Sequence, residues 1–220
     1  MSYKLKMLNR TCAFGLAILA ISATMAVGAQ AAEWTSQGKN YATTVSGSQT
    51  AAFEFKVGAY TATCTTVVFE GQLKAKEFTY TANPSFQKCK ANTPFGTWAV
   101  VFTINECDLG LTAPALAFGE LKINCPGTLL ELDVYSNSSG EGTPICVYKF
   151  FPQGPLPGIT WSNETVLGVN RVKGVFTGVK PKYLVTGSEL VCGKEGTAEV
   201  KGTTTLVGQF AAKPEGVDLG

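Results

Sequence analysis

Six cysteines, Cys64, Cys89, Cys107, Cys125, Cys146 and Cys192, follow an N-terminal export signal in a chain of 220 residues that contains no histidine. An even set of thiols in an exported chain predicts three disulfides, because the compartments outside the cytoplasm are oxidising. The fold must therefore bring three pairs of distant positions together. Six cysteines allow fifteen pairings. Nearest-neighbour logic favours Cys89 with Cys107 and Cys125 with Cys146, since each pair flanks an apparent strand-loop-strand unit, and it leaves Cys64 with Cys192. Closing that last, long loop predicts about 4–5 kcal/mol in the chain-entropy picture.

The signal is read from its three parts. Lys4, Lys6 and Arg10 form the positive start, residues 12–27 the apolar centre, and Ala29, Gln30 and Ala31 the small-residue cleavage site. Cleavage is expected before Ala32, so that 1–31 is a signal peptide and 32–220 a secreted β-rich domain with an ordered core at about 38–212. The apolar centre is shorter than the roughly 20 residues a membrane span requires, and no later run approaches that length. No membrane span is expected once the signal is removed. Cys12 lies at the start of the apolar run, the wrong place for a lipid-bearing first residue.

Charge narrows the partners. The chain carries 18 basic and 16 acidic residues, and the signal holds three of the basic ones and none of the acidic, leaving 15 against 16 in the mature domain. A nearly neutral domain lacks the field that concentrates proteins on nucleic acid, so no nucleic-acid partner is expected. The basic pairs Lys74/Lys76, Lys88/Lys90, Arg171/Lys173 and Lys180/Lys182 are spaced by two, as on the solvated face of a strand.

Period two dominates the hydrophobic pattern. Between Thr97 and Asn105, Trp98, Val100, Phe102 and Ile104 share one face. Phe53, Phe55 and Val57 alternate with Glu54 and Lys56, and Leu130, Leu132 and Val134 with Glu131 and Asp133. Further runs rich in Thr, Val, Tyr and Phe read as strands at 61–69, 72–80, 116–124, 146–151, 160–167, 169–175, 182–186 and 196–210. Breaker clusters at 82–85, 136–140, 154–158 and 186–188 separate them, and glycines inside 175–178 and 202–208 mark bulges or close backbone approach. The fold class predicted is all-β, an antiparallel sandwich or barrel-like domain braced by disulfides, in one compact unit.

The run Cys64–Gly71, the residues Pro84, Ser85 and Phe86 before Cys89, residues 96–101 before Cys107, the sequence Ile123-Asn124-Cys125-Pro126, and Pro152-Gln153 ahead of Trp161 and Asn163 form a set. This arrangement resembles that of secreted, cysteine-containing β-rich proteins common in actinobacteria. The resemblance covers about 38–210 and implies export and a β fold. Its motifs are cysteines, turns and aromatic positions, and it implies no activity and no site residues.

Catalytic constellations are scarce. Without histidine there is no Ser-His-Asp triad, no Cys-His pair and no imidazole ligand. Ser85 and Lys88 match S-x-x-K, but no S-D-N or K-T-G accompanies them. Glu106 and Asp108 lack the D-x-D-x-D-G loop of a calcium site, and no CxxC suggests zinc, so no metal and no cofactor is expected. Glu131 and Asp133 are the one carboxylate pair that a hydrolase could use, although a solvated strand face accounts for them as well. Trp161, with Tyr148, Phe150 and Phe151, lies near the Pro-Gly loop at 152–158, where rings either fill the core or stand exposed to stack on a sugar or partner. The sequons at Asn137 and Asn163 point to exposed segments. The function expected is that of a secreted, non-catalytic protein, binding or structural at the cell envelope, with an envelope protein or a glycan as partner. A carbohydrate-binding module using exposed aromatics is the first alternative and a carboxylate-dependent hydrolase the second.

Overall fold

The computed structural model describes residues 31–36, 43–74, 76–115, 117–210 and 213–219. Residues 1–30 of the expected signal, Cys12 included, and the expected core limits at 38 and 212 lie outside the described residues. In chain order the first strands are β1 (Trp34–Ser36), β2 (Thr43–Val57), β3 (Tyr60–Leu73), β4 (Lys76–Glu77), β5 (Thr79–Thr93) and β6 (Gly96–Thr103). Next come β7 (Asp108–Ala115), β8 (Phe118–Asn124), β9 (Leu130–Tyr135), β10 (Cys146–Phe150), β11 (Gln153–Val166) and β12 (Val169–Val179). The last are β13 (Lys182–Gly187), the short helix α1 (Glu189–Cys192), β14 (Gly196–Thr197), β15 (Glu199–Phe210), β16 (Lys213–Glu215) and β17 (Val217–Leu219).

Eight strands close a barrel in the order β5-β3-β2-β15-β12-β11-β8-β7, and β7 returns to β5 through the antiparallel register Thr79↔Thr112 to Ala82↔Leu109. The second half of β5 stays paired with β3 but changes its other neighbour. It pairs with β6 from Cys89↔Val100 to Thr93↔Gly96, and β6 carries a wing in the order β6-β9-β10-β13-β14. The sheet thus forks at β5, whose residues 83–88 pair with β3 on one side and with neither branch on the other.

Alternation builds these strands as the sequence predicts. In β9, Leu130, Leu132 and Val134 are buried while Glu131, Asp133 and Tyr135 are half-buried, and Cys146, Tyr148 and Phe150 alternate the same way in β10. Two breaker clusters fall inside strands instead. Pro84 lies in the stretch of β5 that lacks a partner on one edge, a place where a strand tolerates proline. The Pro-Gly run at 154–158 belongs to β11, and its register with β8 shifts between Gln153 and Leu156 and again between Pro157 and Ile159. Proline is accommodated at such irregularities.

The disulfides are Cys64–Cys89, Cys107–Cys125 and Cys146–Cys192. This corrects the pairing expected from neighbours in sequence, Cys89 with Cys107, Cys125 with Cys146 and Cys64 with Cys192. Sheet neighbours decide instead. Cys64 and Cys89 stand opposite one another in the β3–β5 ladder. Cys107 and Cys125 flank the last pair of the β7–β8 hairpin, Asp108↔Asn124. Cys146 opens β10 and reaches α1, which follows β13, the strand beside β10.

One end of the barrel is closed by a small sheet in the order β17-β1-β4. Trp34 of β1 has no solvent exposure, meets Trp161 edge to face at 5.0 Å between ring centres, and lies 5.8 Å from Tyr80. Each ring has its polar tip satisfied: Trp34 Nε1 donates to the Leu111 carbonyl at 3.1 Å, Trp161 Nε1 to that of Thr112 at 3.1 Å, and Tyr80 Oη to that of Val45 at 2.9 Å. Gly119 and Gly174 sit against the Trp161 ring, where a Cβ at either would come within 2.2 Å of it. Asn163 clamps β17 by donating to the Leu219 carbonyl at 2.8 Å and accepting from the Leu219 amide at 3.0 Å.

The bridge topology predicts a non-reducing digest that yields the Cys64–Cys89, Cys107–Cys125 and Cys146–Cys192 peptides. Removing the last bridge by C146A/C192A is expected to lower the unfolding free energy in urea by about 2–5 kcal/mol. Trp34→Ala, which empties the closed end of the barrel, is expected to cost about 3–5 kcal/mol in the same measurement.

Candidate functional site

At the other end of the barrel the core is built from phenylalanine. Phe53 and Phe55 come from β2, Phe69 from β3, Phe86 from β5 and Phe176 from β12, each on the inward face of its strand. The wing folds over this end and adds Phe102 from β6 and Phe150 from β10. These seven rings, out of 13 phenylalanines in the chain, surround an apolar cavity of about 50 Å³. The remaining wall, which includes Leu109, Leu121, Ile123, Leu130 and Val200, is also wholly apolar.

The cavity sits where the sheet forks. Phe86 lies in the part of β5 between the two branches, Phe102 on the wing branch and Leu109 on the barrel branch. The lining residues are buried except for Phe86 and Phe102, which are half-buried. Those two rings pack with centres 4.5 Å apart, and Phe55 holds both, at 5.2 Å from Phe86 and 4.8 Å from Phe102. They are the lining residues with the most exposure to solvent.

The ring group singled out near the Pro-Gly loop does not assemble. Trp161 and Tyr148 are buried, at 2% and 0% exposure, and Phe151 is half-buried. Trp161 belongs to the closed end of the barrel, whereas Tyr148 lies beneath α1 and donates its hydroxyl to the Cys192 carbonyl at 2.7 Å. Only Phe150 joins the cavity. Alternation along β10 turns Tyr148 and Phe150 inward together, the core-filling one of the two arrangements the sequence leaves open. Among the described residues the most exposed ring is Phe95, at 86%, in the β5–β6 turn, where it lies nearly parallel to Trp98 at 6.4 Å.

A wide surface groove runs past Asp108, Lys122, Asn124 and Gln153. Asp108, Asn124 and Gln153 are engaged with each other or with the backbone. Asn124 Nδ2 donates to Asp108 Oδ1 at 2.7 Å, while Gln153 accepts from the Lys182 amide and donates to the Lys182 carbonyl, both at 2.8 Å. Ser85 and Lys88 lie on an extended strand, not on the helical turn that S-x-x-K chemistry uses, and Ser85 Oγ accepts from Gln87 Nε2 at 3.2 Å. Among the described residues no group of three or more acidic or cysteine side chains could hold a metal ion.

Glu131 and Asp133 share the outer face of β9. Glu131 pairs with Lys149 at 3.3 Å. Asp133 stands between Val101 and Val147 in the register, and its Oδ1 is buried without a hydrogen-bond partner. Burial holds the Asp133 carboxyl above the ordinary carboxylate range, the charge of Glu131 adds to the shift, and Lys149 opposes it.

No protein family, no curated protein and no solved structure matches this chain. The three disulfides fit an oxidising environment, and among the described residues no helix is long and apolar enough to cross a membrane.

Asp133 supplies a pH test. A carboxyl whose pKa is higher folded than unfolded takes up its proton first in the folded state, so stability falls as pH rises from the unfolded pKa through the folded one. Asp133→Asn removes this dependence. The variant is expected to gain stability on the wild type at pH 7 and to lose that advantage near pH 4, in urea melts at the two pH values.

Proposed function

We propose that this protein acts outside the cytoplasm, secreted or at the cell envelope, as a non-catalytic binding protein whose ligand site is the phenylalanine-lined cavity. One observation carries the reading: the space where barrel and wing meet has a wholly apolar wall. Such a wall offers burial to a ligand and places no acid, base or nucleophile beside it. Binding there draws on apolar surface removed from water, and an eight-stranded barrel has the interior width to hold side chains or one small ligand. The disulfides support the extracytoplasmic setting, and the nearly neutral mature charge supports a small uncharged ligand over a polyanion.

The test is to incubate the oxidised protein, from Ala32 onward, with an envelope extract of its native cells, repurify it, and analyse the organic-solvent extract by mass spectrometry. A discrete apolar compound at a near-stoichiometric level is the expected result. Recovery no greater than from a disulfide-bonded control protein of similar size would overturn the reading.

A further inference from the structure

We infer that the cavity receives the end of an unbranched alkyl chain, which enters between Phe86 and Phe102 at the fork of the sheet. The inference rests on the binding role proposed above and names the ligand class. Three observations carry it. The volume, about 50 Å³, is far below the roughly 300 Å³ at which pockets begin to enclose a whole drug-sized ligand. Any occupant is therefore the narrow end of a longer molecule whose remainder stays outside.

The lining chemistry selects the kind of end. A space this size exceeds the roughly 10–15 Å³ that a water molecule needs, yet a buried water also needs 2–4 polar partners and this wall offers none. An apolar occupant meets no competing ordered water and leaves no polar group of the wall unpaired. A sugar or a charged group would lose its own hydrogen bonds on entry.

The way in selects the shape. Among the lining residues Phe86 and Phe102 are the two that are not fully buried, and they lie in the gap where β5 has no partner on its outer side. A polymethylene chain can pass between two rings that pivot about their own side-chain bonds, whereas a branched or fused-ring group is wider and needs the two branches of the fork to spread, beside the backbone that the Cys64–Cys89 bridge ties to β3.

The oxidised protein is titrated with the straight-chain alcohols from methanol to hexanol while the methyl resonances of Leu121, Ile123 and Leu130 are followed by NMR. Saturable shifts are expected at these methyls, with the dissociation constant falling about fourfold for each added methylene until the cavity is full. Phe102→Ala, which opens the mouth, is expected to strengthen binding of the longer chains, and tert-butanol to leave the methyls unmoved. No saturable shift with any straight-chain alcohol, an affinity independent of chain length, or equal binding of the branched isomer would overturn the inference. A compound without an alkyl chain in the envelope extract would leave the binding role standing and sink this inference alone, whereas an empty extract would sink the role itself.

Discussion

The pairing of β5 is the constraint on which the rest of this structure depends. One strand of 15 residues donates and accepts along two branches of one sheet, with β7 at its start and β6 at its end. The first pairing closes the barrel and removes the open edges that an eight-stranded sheet would otherwise present. The second starts the wing. Because both branches leave the same strand, they diverge from a common line, and the wedge between them must be filled from inside. The rings of Phe86, Phe102 and Phe55 fill it, and the cavity behind them is the part they leave over.

The two ends of the barrel solve the same packing problem with different chemistry. At the closed end the large side chains are Trp34, Trp161 and Tyr80, and each spends its polar atom on a backbone carbonyl. Such bonds fix ring orientation as well as depth, because an unpaired N–H or O–H there would cost about 1–3 kcal/mol. At the fork the rings are phenylalanines, which carry no such tether. They are held by shape alone, in tilted and edge-on contacts and one parallel contact, Phe69 with Phe176, between 4.5 and 6.4 Å. The first arrangement resists displacement, while the second lets rings pivot without leaving a polar atom unsatisfied.

How far the sequence alone reaches follows from the range of each signal. Alternation is local, so the faces of β6, β9 and β10 and the outward position of Glu131 and Asp133 were legible residue by residue. Strand lengths were less so. Thr43 to Gln49 is polar and gave no strand signal, yet it forms half of β2 because β3 and β15 bracket it on both sides. Disulfide pairing depends on which strands become neighbours, and β3 meets β5 across an intervening segment that pairs elsewhere, so sequence proximity misled there. The cavity was invisible for the same reason. Its seven phenylalanines are scattered from Phe53 to Phe176 and meet only after the barrel has closed and the wing has folded over it. Nothing around Trp161 distinguished a buried ring from an exposed one except Gly119 and Gly174, and their role is apparent only once β8 and β12 are known to flank β11.

A void is a cost that a fold either removes or keeps for a reason. At about 24 cal/mol per Å³, 50 Å³ forfeits roughly 1 kcal/mol of stability. That is small beside the 3–4 kcal/mol that the chain-entropy picture assigns to each bridge, at separations of 25, 18 and 46 residues. Two of the bridges stand close to the fork: Cys64–Cys89 ties β3 to β5 where the wing branch begins, and Cys107–Cys125 locks the β7–β8 hairpin beside Leu109 and Ile123 of the cavity wall. Covalent ties at these positions hold the backbone around the space even when side chains within it move. Enlarging Leu130 or Val200 by a few methylenes would close such a gap, and a scaffold under no demand but stability has that route open. The bridged backbone, the untethered rings and the unfilled volume are therefore consistent with one another as parts of a site that stays rigid in its frame and yields at its mouth.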